Sequence, residues 1–211
     1  MMIDKDDYLE KIQEYEKQYT FTDGYKILYC PWNSIGNLNT AFISLNPGKS
    51  PINADLKTIS DERGNSYEVE KFTTQSPLTD QFLRLSSFIK LKPNQILTGV
   101  ACPFRGDRWN DFNSSQKEAG LNIGKIFWSQ VLDEKIKLII TLGNETTKLI
   151  TEIKDSKLEK EINSGWGNYN LKRYTDSKNT KIIQLLHLST FKLFSRPKCI
   201  TPLKEIFEDF I

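Results

Sequence analysis

Asn46, Cys102 and His187 are the residues of this chain whose types and settings suit chemistry. The run Ala41-Phe-Ile-Ser-Leu-Asn-Pro-Gly-Lys-Ser50 reads as a buried strand that stops at Asn46-Pro47-Gly48. Such a strand delivers one polar side chain to its own C-terminal end, where open α/β sheets bind ligands. Pro47 fixes φ and Gly48 lets backbone approach a ligand, so the turn is suited to holding Asn46 still. Taken alone, the decapeptide fits an ordinary Asn-Pro-Gly turn even better. The run Thr180-Lys-Ile-Ile-Gln-Leu-Leu-His187 repeats the pattern, ending on the only histidine of the chain. A third run, residues 95–102, leads into Cys102-Pro-Phe-Arg-Gly-Asp-Arg-Trp109. An amide oxygen can orient a water, and a neutral imidazole can donate a hydrogen bond to an anion that grows as a bond breaks. Cys102 and His187 as a nucleophilic dyad is the competing chemistry.

The elements that must position these groups follow from periodicity. Helices are predicted over residues 4–19, 77–90, 114–132, from Asn144 to about Ile153, and 203–210 behind Thr201-Pro202. Residues 25–30 read as a short strand, 157–167 as a polar helix and turn, and 169–175 as an extra strand. Core strands are predicted near 41, 96, 137 and 181 with helices between them, which implies a parallel sheet covered on both faces. The fold class expected is α/β, a three-layer α/β/α arrangement around a central, mostly parallel four-stranded sheet. Residues 51–76 are too long and polar for an ordinary connection and are expected to lie over the site. Gly120 and Gly124 loosen the helix they fall in and suggest close packing on the sheet.

Composition limits the partners. The chain has 211 residues, 38% of them hydrophobic and 27% charged, with a net charge of +2. It is expected to form one domain, residues 1–38 supplying a helix and a short strand and 39–195 the core with the motifs. The acidic N-terminus lacks the apolar stretch of a signal peptide, and a cytoplasmic monomer without membrane contact is expected. Three widely spaced cysteines and one histidine suggest neither a disulfide framework nor a metal site, and no cofactor is expected. Charge is distributed unevenly: no acid occurs from Ile182 to Lys204, a segment that carries Lys192, Arg196, Lys198 and Lys204.

In its motifs the chain resembles the uracil-DNA glycosylase superfamily. Leu45-Asn-Pro-Gly48 matches the first motif, and His187-Leu-Ser189 with its basic downstream loop matches the last. The pairing of Asn-Pro-Gly with histidine, and the Cys102-Pro103 pair, are most similar to the single-strand-selective monofunctional uracil-DNA glycosylases. The resemblance implies that the N-glycosidic bond of a deaminated or damaged base in single- or double-stranded DNA is hydrolysed, with Asn46 and His187 catalytic. Leu45, Pro47, Gly48 and Ser189 would line the substrate site, with Tyr67, Phe72 or Phe104 able to stack on a flipped base and Arg105 and Asp107 able to read it. Lys49, Lys192, Arg196 and Lys198 would meet phosphates while Phe191, Leu193 or Phe194 wedges into the stack. Two positions depart from the family pattern. Gly99-Val100-Ala101 stands where members that read uracil carry an asparagine, and Leu188 replaces the usual proline. The first departure favours a different lesion base, or a binding module without catalysis.

Overall fold

Four short segments with a fully or almost fully buried backbone make the centre of this chain, in a computed structural model that describes residues 3–48, 56–72 and 76–211. In chain order the elements are α1 (Lys5–Gln18), β1 (Thr40–Ser44), α2 (Ser66–Glu70), α3 (Pro77–Phe88), β2 (Leu97–Val100), α4 (Ser114–Val131), β3 (Leu138–Leu142), α5 (Asn144–Ile153), β4 (Lys157–Asn163), β5 (Asn170–Thr175), β6 (Lys181–Leu185), α6 (Leu188–Phe191) and α7 (Pro197–Ile206). The sheet order is β2-β1-β3-β6-β5-β4. The first three pairings are parallel and the last two antiparallel.

Side chains leave a strand on alternating faces, so each parallel strand feeds two cores. Ala41, Ile43, Ile139 and Ile182 pack with Tyr8 and Ile12 of α1, Phe127 and Trp128 of α4 and Ile150 of α5. Phe42, Ile140, Ile183 and Leu185 pack on the opposite face with Phe82 and Leu85 of α3 and Leu203 and Ile206 of α7. Helices therefore cover both faces of a mostly parallel sheet, as the interleaving of strand and helix predicted. Gly124 explains how closely α4 approaches: a Cβ there would stand 1.6 Å from the Ala101 carbonyl oxygen. At Gly120 it would meet the Cys102 Sγ at 2.4 Å.

The strand count departs from expectation. Six strands join the sheet rather than four: the extra strand expected at 169–175 forms β5 and pairs with β6, and residues 157–163, expected to be helical, pair with β5 as an antiparallel edge. Leu158 and Ile162 are four apart, a spacing that suits a helix as well as a strand, the pairing register shifts between Leu158 and Lys160, and the edge is polar with its side chains mostly exposed. Ion pairs fix the hairpin: Arg173, 6% exposed, reaches Glu159 at 2.9 Å, Glu208 at 3.1 Å and Asp209 at 3.2 Å. At the opposite edge, residues 25–30 make isolated bridges, Tyr25 with Phe104 and Leu28 with Gly99, in place of the predicted strand. The Val100 N–H donates to the Ile27 carbonyl at 3.0 Å, so this segment covers the β2 edge. The last helix starts at Pro197, not near Pro202, which lies inside it. Pro197 suits the first turn, and Pro202 leaves the Lys198 carbonyl without its usual i+4 donor.

Candidate active site

The ends of β1 and β2 are tied together by backbone hydrogen bonds that continue past the strands. The Ala101 N–H donates to the Ser44 carbonyl and the Cys102 N–H to the Leu45 carbonyl, both at 2.8 Å, and the Gly106 N–H donates to the Pro47 carbonyl at 3.2 Å. The segment 45–48 thus lies along 101–106, bringing together two of the runs singled out by sequence. Asn46, partly buried, donates its Nδ2 to the Pro47 carbonyl at 3.0 Å and to the Gly106 carbonyl at 3.3 Å. Carbonyls accept only, so these two bonds assign the amide nitrogen and turn Oδ1 away from both of them. Pro47 is buried, Leu45 is partly buried and Gly48 is exposed. Lys49 lies outside the described residues.

Arg105 braces this loop. Its Nη1 donates to the Gly48 carbonyl at 3.2 Å and its Nε to the Leu56 carbonyl at 3.3 Å. The guanidinium, expected to read a base, is thus spent on backbone. Phe104 and Tyr67 are not free to stack on a base either. Phe104 is fully buried with its ring 3.6 Å from that of Phe21, and Tyr67 is 3% exposed, packed between Tyr29 and Phe82 at 5.4 and 4.5 Å. Burial raises the Tyr67 phenol well above its ordinary value, and the nearby charges of Tyr29 and Glu70 add to that effect. Both aromatic residues are core pieces under the site, a role their apolar neighbours in sequence already permitted.

Residues 56–72 run along residues 25–30 at the β2 edge, from Leu56 beside Arg105 to Asn65, which donates to the Pro93 carbonyl ahead of β2 at 2.9 Å; residues 51–55 and 73–75 of the expected cover lie outside the described residues. The Ser66 N–H donates to the Tyr29 carbonyl at 2.7 Å, and Asn65 caps α2 through the Tyr67 N–H at 3.1 Å. A buried pair anchors the segment: the Lys26 Nζ lies 3.0 Å from Asp61, which also accepts from Ser66 at 2.8 Å and Arg63 at 2.9 Å. Burial pushes the Asp61 carboxyl up, but Arg63, Lys26 and Ser66 together hold it well below the usual carboxylate range. This network was not legible in sequence, because its members are scattered from 26 to 66 and no spacing links them.

His187 follows β6 and closes onto α6. Its carbonyl accepts from the Thr190 and Phe191 N–H groups at 3.0 Å, and its Nδ1 lies 2.8 Å from the Ser189 hydroxyl. Burial lowers the imidazole below its ordinary value of 6.5, so the ring is neutral at pH 7. If Ser189 donates to Nδ1, the proton resides on Nε2, which is then a donor. His187 and Asn46 each lie two residues past the C-terminal end of their strands, β6 and β1, which have β3 between them. Strand spacing puts their backbones roughly 10 Å apart.

The basic loop divides in two. Leu193 is fully buried and Phe194 is 7% exposed, its ring 5.4 Å from Phe88. The Phe194 N–H donates to Gln81 Oε1 at 3.0 Å, so neither side chain can enter a DNA stack without unfolding this corner. Phe191 stays partly exposed beside Lys192, which is exposed and left-handed at φ 48°. Arg196 donates its Nε to the Phe191 carbonyl at 2.8 Å, and Lys198 is exposed.

Cys102 is excluded as a nucleophile. It is fully buried, and that burial pushes its thiol up to about 12. Reactive cysteines need thiolate and access, and Cys102 has neither. Among the described residues, no group of three or more His, Cys, Asp or Glu side chains could hold a metal ion, and no helix is long and apolar enough to cross a membrane. Two surface depressions of about 300 and 510 Å³, holding Asn39 and Lys135 in one and Lys137 and Asn179 in the other, open at the opposite, N-terminal edge of the sheet. No protein-family model and no curated protein matches the chain.

Proposed function

We propose that this chain is a monofunctional DNA glycosylase on a uracil-DNA glycosylase-like fold, hydrolysing the N-glycosidic bond of a deaminated or damaged base. The observation that carries the reading is the anchoring of Asn46. With Nδ2 held by two carbonyls, Oδ1 is the atom left to accept from a water beneath the sugar. An amide oxygen is too weak a base to take the proton fully, so it positions the water while the departing base develops negative charge. His187, neutral and held by Ser189, donates from Nε2 to a carbonyl oxygen of that base. A neutral donor suits the role, since it stabilises the anion without carrying a proton that would have to be lost. The gap of roughly 10 Å between the two backbones leaves room for a single flipped nucleoside between the side chains. Phe191 and Lys192 form the tip that would enter the vacated stack, and Lys198 would meet phosphate.

The test is base release. Wild type, Asn46→Ala and His187→Ala are incubated with oligonucleotides carrying uracil, hypoxanthine, xanthine or an oxidised pyrimidine, and abasic sites are scored after alkaline cleavage. One base released by wild type and strongly reduced release by both variants is the expected result; release undiminished in both would sink the assignment.

A second reading, a nucleic-acid binding module without turnover, is favoured by one observation. A Cβ at Gly99 would stand 2.5 Å from the Ile27 carbonyl oxygen and 2.9 Å from the Trp128 ring. No base-reading asparagine fits there. DNA binding with steep salt dependence but no base released would establish that reading.

A further inference from the structure

The turn between β4 and β5 holds none of the motif residues and none of the groups proposed for base release. Its place in the fold is informative. β5 runs antiparallel to β6, with Lys172 opposite Gln184 and Thr175 opposite Lys181. The start of β5 and the end of β4 therefore project beyond the C-terminal end of β6, at the edge where His187 stands. Residues 163–170 read Asn-Ser-Gly-Trp-Gly-Asn-Tyr-Asn, with no charge. Trp166 is 37% exposed and Tyr169 51% exposed, two of the few large apolar side chains left open to solvent.

These rings are held, not dangling. The turn is closed by its own hydrogen bonds: the Ser164 N–H donates to the Tyr169 carbonyl at 2.8 Å, the Gly165 N–H to Asn163 Oδ1 at 2.9 Å, and Asn163 Nδ2 to the Gly167 carbonyl at 3.2 Å. Gly165, at φ 76°, seats against the Lys198 carbonyl oxygen, where a Cβ would come within 2.2 Å. That carbonyl is the one Pro202 leaves without a helical donor. Outward of this contact, the Arg196 guanidinium lies 3.5 Å from the Trp166 ring centroid, and Tyr169 meets Phe191 edge-on at 5.0 Å. Two uncharged aromatic rings, Trp166 with one face covered by Arg196, thus stand beside the loop that carries Lys192 and Lys198, in a stretch of chain with no acid from 182 to 204.

We propose that the β4–β5 turn is a stacking platform for the unpaired nucleotides of a DNA single strand that runs along the basic loop. The inference rests on the DNA partner proposed above and names the form of DNA. Aromatic faces offered beside cations match a single strand, whose bases have free faces and whose phosphates need counter-charge. A duplex hides its base faces and would use the cations alone. Trp166 and Tyr169 would take the bases flanking the extruded one, and the prior hydrogen bonding of the turn means that little order has to be imposed on binding.

The experiment measures binding of dye-labelled oligothymidine by anisotropy, single-stranded and annealed to its complement, at one fixed salt concentration. Trp166→Ala and Tyr169→Ala are each expected to weaken single-strand binding about tenfold, within the range for one lost base stack. Duplex binding is expected to change less than about twofold if only phosphate contacts remain. Trp166→Phe, which keeps a ring, should restore most of the single-strand affinity. Melting temperatures of the variants control for folding. Alanine variants that bind single strands as wild type does, or a wild type that binds no oligothymidine, overturn the platform. Base release assayed in parallel separates the two claims: base released with unchanged single-strand binding discards the platform alone, and weakened binding without base release discards the glycosylase alone.

Discussion

The loop after β1 and the loop after β6 face each other at one sheet edge, yet they are built differently. The first is laid along its neighbour by a succession of backbone bonds and braced by Arg105, so the Asn46 side chain is fixed by the fold around it. The second is held by a few buried anchors, Leu193, Phe194 and the Gln81 amide, between which Phe191, Lys192, Arg196 and Lys198 reach solvent. One loop is suited to holding a water still. The other is suited to meeting a partner of changing shape. The adjacent pair Leu193 and Phe194 anchors the second loop, and the residues on either side of that pair, 191–192 and 195–198, are exposed or partly exposed.

The comparison breaks most visibly at Asn46. Asn46→Ala should lower the single-turnover rate of base release by about a hundredfold or more with little change in DNA affinity, and His187→Ala by a comparable factor. A large loss of affinity with an unchanged rate would place both residues in binding. In the second loop, Leu193→Ala should cost about 3 kcal/mol of stability in denaturant unfolding, the usual cost of emptying a fully buried leucine site. A loss below about 1 kcal/mol would show that the anchor is not one. Lys198→Ala should leave stability unchanged and reduce the slope of log affinity against log salt by somewhat less than one, since a single phosphate contact is removed. An unchanged slope would take Lys198 off the DNA path.

The smallest effect concerns protonation. His187 is the only histidine, so one imidazole signal reports it by NMR. Its midpoint should fall below 6.5, because burial favours the neutral ring. The unfolded chain binds the proton first, so stability should begin to fall as pH drops below 6.5 and level off once the folded ring is also charged. A midpoint above 6.5 would contradict the neutral donor.

Much of this was legible in the sequence where a local pattern carried it. The parallel core came from four apolar runs separated by helical periods, and the two close glycines of α4 were marked by their position in an otherwise regular helix. The meeting of 45–48 with 101–106 followed from the rule that parallel strands end together. β5 was legible as an extra strand, but its partner β4 was missed because its charged residues satisfy a helix as well as an edge strand, and only pairing with β5 decides between them. Leu193 and Phe194 could not be told from Phe191 by type: which phenylalanine points inward depends on the turn at Lys192, a tertiary matter. The helix start at Pro197 was available from its own proline and was lost to the second proline at 202.

Lys192 occupies a left-handed backbone conformation in which a side chain costs about 1 kcal/mol or more and glycine nothing comparable. The residue proposed above to sit at the DNA-contacting tip is therefore also one the fold would do better without. Lys192→Gly should raise the melting temperature while weakening DNA binding, both measured on the same variant; a lower melting temperature would refute the trade. Directed selection of this chain for heat resistance alone would be expected to favour glycine at 192, and the contact proposed for this position would go with the lysine.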